Sequence, residues 1–140
     1  MTARSEELDR SYWYLDTSVA LRILLGHSQS AIDWYDNLAD RRATFVSSRI
    51  LELEMKRVLR RESIAVDGAD EFLSELALLA VDNRLITEAA AIRPHIKSLD
   101  ALHLASAQRI GAGNVTIVTH DANMATVADS LGFDVVDPVN

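Results

Sequence analysis

With 140 residues, 49% of them hydrophobic and 25% charged, the chain is sized for one globular domain with a proper core, and wholesale disorder is excluded. It has no cysteine, which rules out disulfides and thiolate metal sites, and its formal net charge of −7 argues against a general nucleic-acid coat protein. No apolar run reaches membrane-spanning length and residues 1–11 lack a signal-peptide pattern, so the cytoplasm is the expected location.

Residues 1–11 are polar and charged and read as a loose leader, with the domain expected over 12–140. Tyr12-Trp13-Tyr14-Leu15 is a short strand-type run that stops at Asp16-Thr17-Ser18, and Val19–Leu25 then reads as a helix. After Gly26 a helix is expected over Ser30–Asp40, then a strand at Ala43–Val46, then a helix capped by Ser47 or Ser48. Beyond Asp67-Gly68 the spacing predicts a helix through Phe72, Leu73, Leu76 and Leu79. A weak strand is expected between Val81 and Ile86, and then a short helix capped by Thr87. Ser98 is expected to open a helix that Gly111 and Gly113 close, followed by a strand at Val115–Val118. A helix over Ala122–Leu131 and an edge strand at Val135-Val136 complete the chain. Strands alternating with helices call for an α/β sandwich around a parallel sheet.

The acids then fall into place. Asp16 ends the first strand and Asp121 follows the Val115–Val118 strand, so in a parallel sheet both emerge at the C-terminal edge. Asp100 lies just inside the helix that leads into that later strand, and Glu54 lies in the second turn of the helix after Val46. Four acids from four distant segments therefore meet at one rim. Singly, each has a structural explanation. Asp16 (or Thr17) and Asp121 suit helix caps, and Asp100 suits a helix dipole, worth roughly 0.3–1 kcal/mol. Glu54 suits an exposed pair with Arg57 or Arg61. Together, four like charges repel, and a divalent cation is the usual remedy. All-oxygen donors beside the hydroxyls of Thr17, Ser18 and Thr119 suit Mg²⁺ or Mn²⁺.

Spacing leaves some choices open. Glu52 and Glu54 point roughly 200° apart on a helix, so one of them faces the rim, and the flanking apolar residues fit either. Arg49, Lys56, Arg57, Arg60 and Arg61 suit contacts with a phosphate backbone or a solvated helix face. His103 is assigned to helix packing and His120 is left without a role, since neither has metal-ligand spacing.

Four blocks occur in this order: Leu15-Asp16-Thr17-Ser18; Ser47-Ser48 with Glu54-Met55-Lys56-Arg57; Ser98-Leu99-Asp100-Ala101-Leu102-His103-Leu104-Ala105; and Val118-Thr119-His120-Asp121. In these the chain resembles the PIN-domain ribonucleases, specifically the VapC-type toxins of toxin–antitoxin pairs, over nearly its whole length from Tyr12. The resemblance implies a single PIN-like α/β/α sandwich with a parallel sheet of four to five strands, order 3-2-1-4-5. It favours Glu54 over Glu52. It implies that Asp16, Glu54, Asp100 and Asp121 hold one or two Mg²⁺ or Mn²⁺ ions, with Thr17, Ser18 and Thr119 orienting water or carboxylates around them. Arg49, Lys56 and Arg57 are the candidate RNA contacts. Cleavage of an RNA phosphodiester to a 5′-phosphate and a 3′-hydroxyl, a homodimer, and neutralisation by a cognate antitoxin follow as further expectations. Asn123 departs from relatives that carry another acid nearby. A phosphotransferase of the dehalogenase-like class would need a second acid at Ser18, and a catalytically inactive PIN-fold binding module is the competing assignment.

Overall fold

The computed structural model describes residues 12–139, so the expected leader lies outside the described residues. The aromatic run forms strand β1 (Tyr12–Leu15) at the centre of a five-stranded sheet. Beside it lie β2 (Thr44–Ser48) and β4 (Val115–Val118), and outside these lie β3 (Ala77–Leu79) and β5 (Asp134–Val136). Every neighbouring pair is parallel and the order is β3-β2-β1-β4-β5, as the resemblance implied. Strand order reverses between β1 and β4. That places the crevice used for ligands in open α/β sheets next to Asp16.

Alternation along the strands sorts side chains to two faces. Leu15, Phe45 and Val118 point to one core, which α1 (Thr17–Leu24), α2 (Gln29–Asp40), α3 (Arg49–Arg61) and α4 (Asp67–Ser74) complete. Aromatic rings fill its middle, with Tyr35 and Phe45 centroids 4.4 Å apart and Phe72 at 5.4 Å from Tyr35. Tyr14, Val46 and Ile117 point to the other core, covered by α6 (Ser98–Ile110) and α7 (Ala122–Ser130). A third, smaller cluster seats Leu85 and Ala89 of α5 (Asn83–Ala90) on Ala101 and Ala105 of α6. Gly111 stands at φ +105° where α6 ends and the chain turns into β4, a conformation side-chain-bearing residues rarely adopt.

Three sequence expectations need correction. The helix expected to run through Leu79 stops at Ser74, and Ala77–Leu79 is strand β3. Its residues favour helix, but the open edge of β2 offers Val46–Ser48 as partners, and tertiary pairing outweighs a weak propensity. The segment expected as a weak strand near Val81–Ile86 instead enters α5, capped by Asp82 through a 2.8 Å bond from Leu85 N rather than by Thr87. Ser98 does open α6 as expected, with Lys97 at the cap position and no side-chain capping bond. Of the serine pair, Ser48 caps α3 and Ser47 ties β2 to β1 by donating to the Leu15 carbonyl at 2.7 Å.

Candidate active site

Asp16 is delivered by β1 directly into the N-terminus of α1, and it is buried at 3% exposure. Its Oδ1 accepts from Ser18 N at 2.9 Å, Ser18 Oγ at 2.5 Å and Val19 N at 3.3 Å. Its Oδ2 accepts from Thr119 Oγ1 at 2.5 Å. Asp16 is thus a helix cap and a cleft acid at once, and the two readings do not compete. The same hydroxyls stitch the two strand tips together. Thr119 Oγ1 accepts from Asp121 N and Ser18 Oγ accepts from His120 N, each at 3.0 Å. Burial pushes the Asp16 carboxyl above its ordinary range even though these donors pull the other way.

Glu54, in the second turn of α3, turns inward. Its Oε1 accepts from Thr17 Oγ1 at 2.7 Å and lies 2.9 Å from Nε2 of His103, a residue buried in α6. The other ring nitrogen, Nδ1, lies 2.8 Å from the Tyr14 hydroxyl of β1. Burial alone would raise the Glu54 carboxyl, but the His103 and Thr17 hydrogen bonds outweigh it and hold it below the ordinary range. Two residues earlier, Glu52 faces outward between Arg49 at 2.8 Å and Lys56 at 3.1 Å. The structure thus brings Glu54 and not Glu52 to the rim.

Asp100 is half-buried in the first turn of α6, and among the described residues it accepts no hydrogen bond and joins no ion pair. Its carboxyl is raised by burial and by the negative charges of Asp121 and Asp16. Asp121 caps α7 through Oδ1, which accepts from Met124 N at 2.9 Å. Together Asp16, Glu54, Asp100 and Asp121 line one cleft of about 350 Å³, with Thr17, Ser18 and Lys97 at its walls.

Does this donor set fit a cation? Its chemistry does. The donors are all oxygen, and burial together with mutual repulsion raises a carboxyl that accepts no hydrogen bond among the described residues. Among the described residues, no three His, Asp or Glu groups are close enough to grip one ion together. An all-oxygen lining of this kind suits an ion that binds through one or two carboxylates and keeps several waters, as Mg²⁺ does.

The remaining expected residues divide. Arg49 and Lys56 are occupied by Glu52, and Lys56 also meets Asp70 at 3.3 Å. Arg57 is exposed on the outer face of α3, with no ion pair among the described residues. His120 pairs with Asp137 at 2.9 Å, and Asn123 donates to the His95 carbonyl at 3.4 Å. Sequence reasoning missed the contact of His103 with Glu54, the part of Tyr14 in it, and the cation Lys97 beside the acids. One signal was available: Asp100 and His103 are three apart on a helix, a spacing that puts them on one face.

Comparison with known proteins points the same way. The PIN domain family profile matches residues 13–130. Ribonuclease VapC46 of Mycobacterium tuberculosis is 32% identical over 127 residues, spanning 89% of this chain and 96% of that protein. Ribonuclease VapC35 of the same organism is 32% identical over 133 residues with the same coverage. Among solved structures, VapBC2 from Rickettsia felis bound to a DNA fragment from its promoter has a similar fold. Its TM-score is 0.68 at 18% identity, over 90% of this chain and 98% of that one. FitAcB from Neisseria gonorrhoeae gives 0.67 at 19%, over 90% and 97%. At those identities the structures speak for the fold, while the profile match and the VapC relatives speak for descent, and the chain belongs to the PIN domain family, beside relatives named ribonuclease VapC.

Proposed function

We propose that the chain is a Mg²⁺- or Mn²⁺-dependent endoribonuclease toxin that hydrolyses RNA phosphodiester bonds and is neutralised by a cognate antitoxin. One observation carries the reading: four carboxylates from four separate segments line one cleft at the switch point of the sheet. The ribonuclease names of relatives at 32% identity support it. Asp16, Glu54, Asp100 and Asp121 line the cleft that would hold the cation, one or two of them touching it directly and the others reaching it through its waters. Bound there, a divalent cation makes water acidic enough to attack near neutral pH and offsets charge growing on the phosphate.

The chain's own residues do the rest. Thr119 and Ser18 fix the Asp16 carboxylate by direct hydrogen bonds, and Thr17 fixes Glu54. In-line attack of water breaks the P–O3′ bond and leaves a 3′-hydroxyl and a 5′-phosphate. Lys97 and Arg57 are free to meet phosphates flanking the cleaved bond, whereas Arg49 and Lys56 are partly neutralised by Glu52. An acidic rim on a chain of net charge −7 complements a basic inhibitory segment of an antitoxin. A homodimer is the assembly we assign.

The test is cleavage of a mixed RNA pool by purified protein with Mg²⁺ or Mn²⁺, with chelator, and with Asp16→Asn. Metal-dependent cutting that both chelator and substitution abolish supports the reading. Cutting that survives Asp16→Asn removes the acid cleft from the reaction. Folded, antitoxin-free protein that neither cuts RNA nor binds the cation favours the inactive binding module instead.

A further inference from the structure

His103 carries a role that helix packing does not account for. It is a polar ring at 1% exposure, yet both of its nitrogens are engaged, and their partners lie on different elements. An ionised carboxylate can only accept, so Nε2 carries the proton given to Glu54 Oε1. In the neutral ring Nδ1 is then the acceptor, and the Tyr14 hydroxyl donates to it. The chain Tyr14–His103–Glu54–Thr17 thereby joins β1, α6, α3 and α1 through polar contacts of 2.7 to 2.9 Å. Both of its bonds to Glu54 fall on Oε1, and among the described residues no hydrogen bond reaches Oε2.

We propose that His103 is a positioning residue for the acid cleft: its Nε2–H clamps one oxygen of Glu54 so that the other is presented to a divalent cation, and Tyr14 fixes the ring. The inference rests on the cation-binding reading of the cleft and deepens it. Glu54 is a long, flexible side chain entering from the second turn of a helix, and without the clamp only the Thr17 hydroxyl would hold its carboxylate, leaving more of its rotamers open. Outer partners of metal-binding groups characteristically matter 10- to 100-fold in affinity.

The experiment is calorimetric titration of the apo protein with Mn²⁺, alongside thermal melting, for wild type and His103→Ala, His103→Gln and His103→Asn. A glutamine amide nitrogen sits near the place of Nε2, whereas an asparagine amide ends near Nδ1. We expect His103→Ala and His103→Asn to weaken Mn²⁺ binding by about 10-fold or more, and His103→Gln to recover most of the loss. In a Glu54→Gln background the same His103 substitutions should leave Mn²⁺ affinity unchanged, since the pair acts as one unit. If His103→Ala fails to fold, the Gln–Asn pair decides. Lowered melting temperatures with Mn²⁺ affinity equal in the Gln and Asn variants would mean a structural role and overturn the proposal. Wild type that binds no Mn²⁺ would sink the cation reading itself, and this inference with it. Wild type that binds Mn²⁺ with affinity indifferent to residue 103 would sink this inference alone.

Discussion

The two halves of the cleft are built differently. On one side Asp16 accepts four hydrogen bonds and Glu54 is held by Thr17 and His103, so both carboxylates are fixed before any ligand arrives. On the other, Asp121 uses one oxygen as a cap, and Asp100 accepts no hydrogen bond among the described residues. Electrostatics separates Glu54 from Asp100, while burial raises the Asp16 carboxyl in spite of its donors. Glu54 is stabilised as an anion by its donors, while burial and the neighbouring acids Asp121, Asp16 and Glu54 disfavour the Asp100 anion. The held half sets geometry, and the open half carries the unmet lone pairs and unrelieved repulsion that favour a cation. Such a division costs folding stability in the apo chain and returns it on ligand binding.

The largest effect should come from the held half. Asp16→Asn is expected to lower RNA cleavage by about 100-fold or more, the scale for losing one aligned stabiliser of developing charge. It should leave the fold intact, because asparagine caps helices about as well as aspartate. Asp16→Ala should lose cleavage equally and, in addition, about 1 kcal/mol of stability with the α1 cap. Single-turnover cleavage and urea melts of the two variants check this pair. If both lose the same stability, the acid's capping bonds are not contributing.

The open half should respond to the cation. Saturation at 100 times Kd stabilises a folded chain by about 2.7 kcal/mol, so Mg²⁺ or Mn²⁺ should raise the wild-type Tm by roughly 5–10 °C. Asp100→Asn should abolish most of that rise while raising the Tm of the apo protein, because it removes a carboxylate whose charge is disfavoured. The pH dependence follows the same sign. Asp100 has a folded pKa above its ordinary value, so its contribution to apo stability is present at low pH and lost as pH rises through the raised value. Wild-type Tm minus Asp100→Asn Tm should therefore become more negative from about pH 4, the ordinary carboxylate range, towards neutrality. A difference flat with pH would mean that Asp100 is solvated and uncoupled from its neighbours.

The division between the halves also explains what could be read from the sequence. Parallel topology and the rim positions of Asp16 and Asp121 follow from strand–helix alternation, because a strand end fixes where the next residue emerges. The choice between Glu52 and Glu54 does not follow from spacing, since it depends on the His103 ring arriving from a helix 49 residues away in the chain. His103 lacks metal-ligand spacing and so reads as helix packing, because its partner Glu54 lies across an interface that the sequence does not show. Ala77-Leu78-Leu79 carries a helical local signal, and only the open edge of β2 makes it strand β3. Local chemistry was visible where one segment supplies both donor and acceptor, as in Asp16 with Ser18.

The smallest effects should come from the outer face of α3, which sharpens the contrast between its two glutamates. Glu52 bridges exposed Arg49 and partly exposed Lys56, and Lys56 extends the network to Asp70. Exposed pairs of this kind contribute about 0–1 kcal/mol, because solvent screens them and long side chains lose freedom in forming them. Glu52→Gln should therefore shift stability by less than about 1 kcal/mol and leave cleavage under saturating RNA unchanged. It also releases Arg49 and Lys56 from an acid, so RNA affinity at low salt should rise slightly, with a steeper dependence on salt. Arg57→Ala should do the reverse, lowering the salt slope by about 1 with a modest, sequence-independent loss of affinity. Filter-binding titrations of non-cleavable RNA across a salt series read both slopes. If Glu52→Gln abolished cleavage as Glu54→Gln is expected to, the inward glutamate would not be the one that serves the cleft.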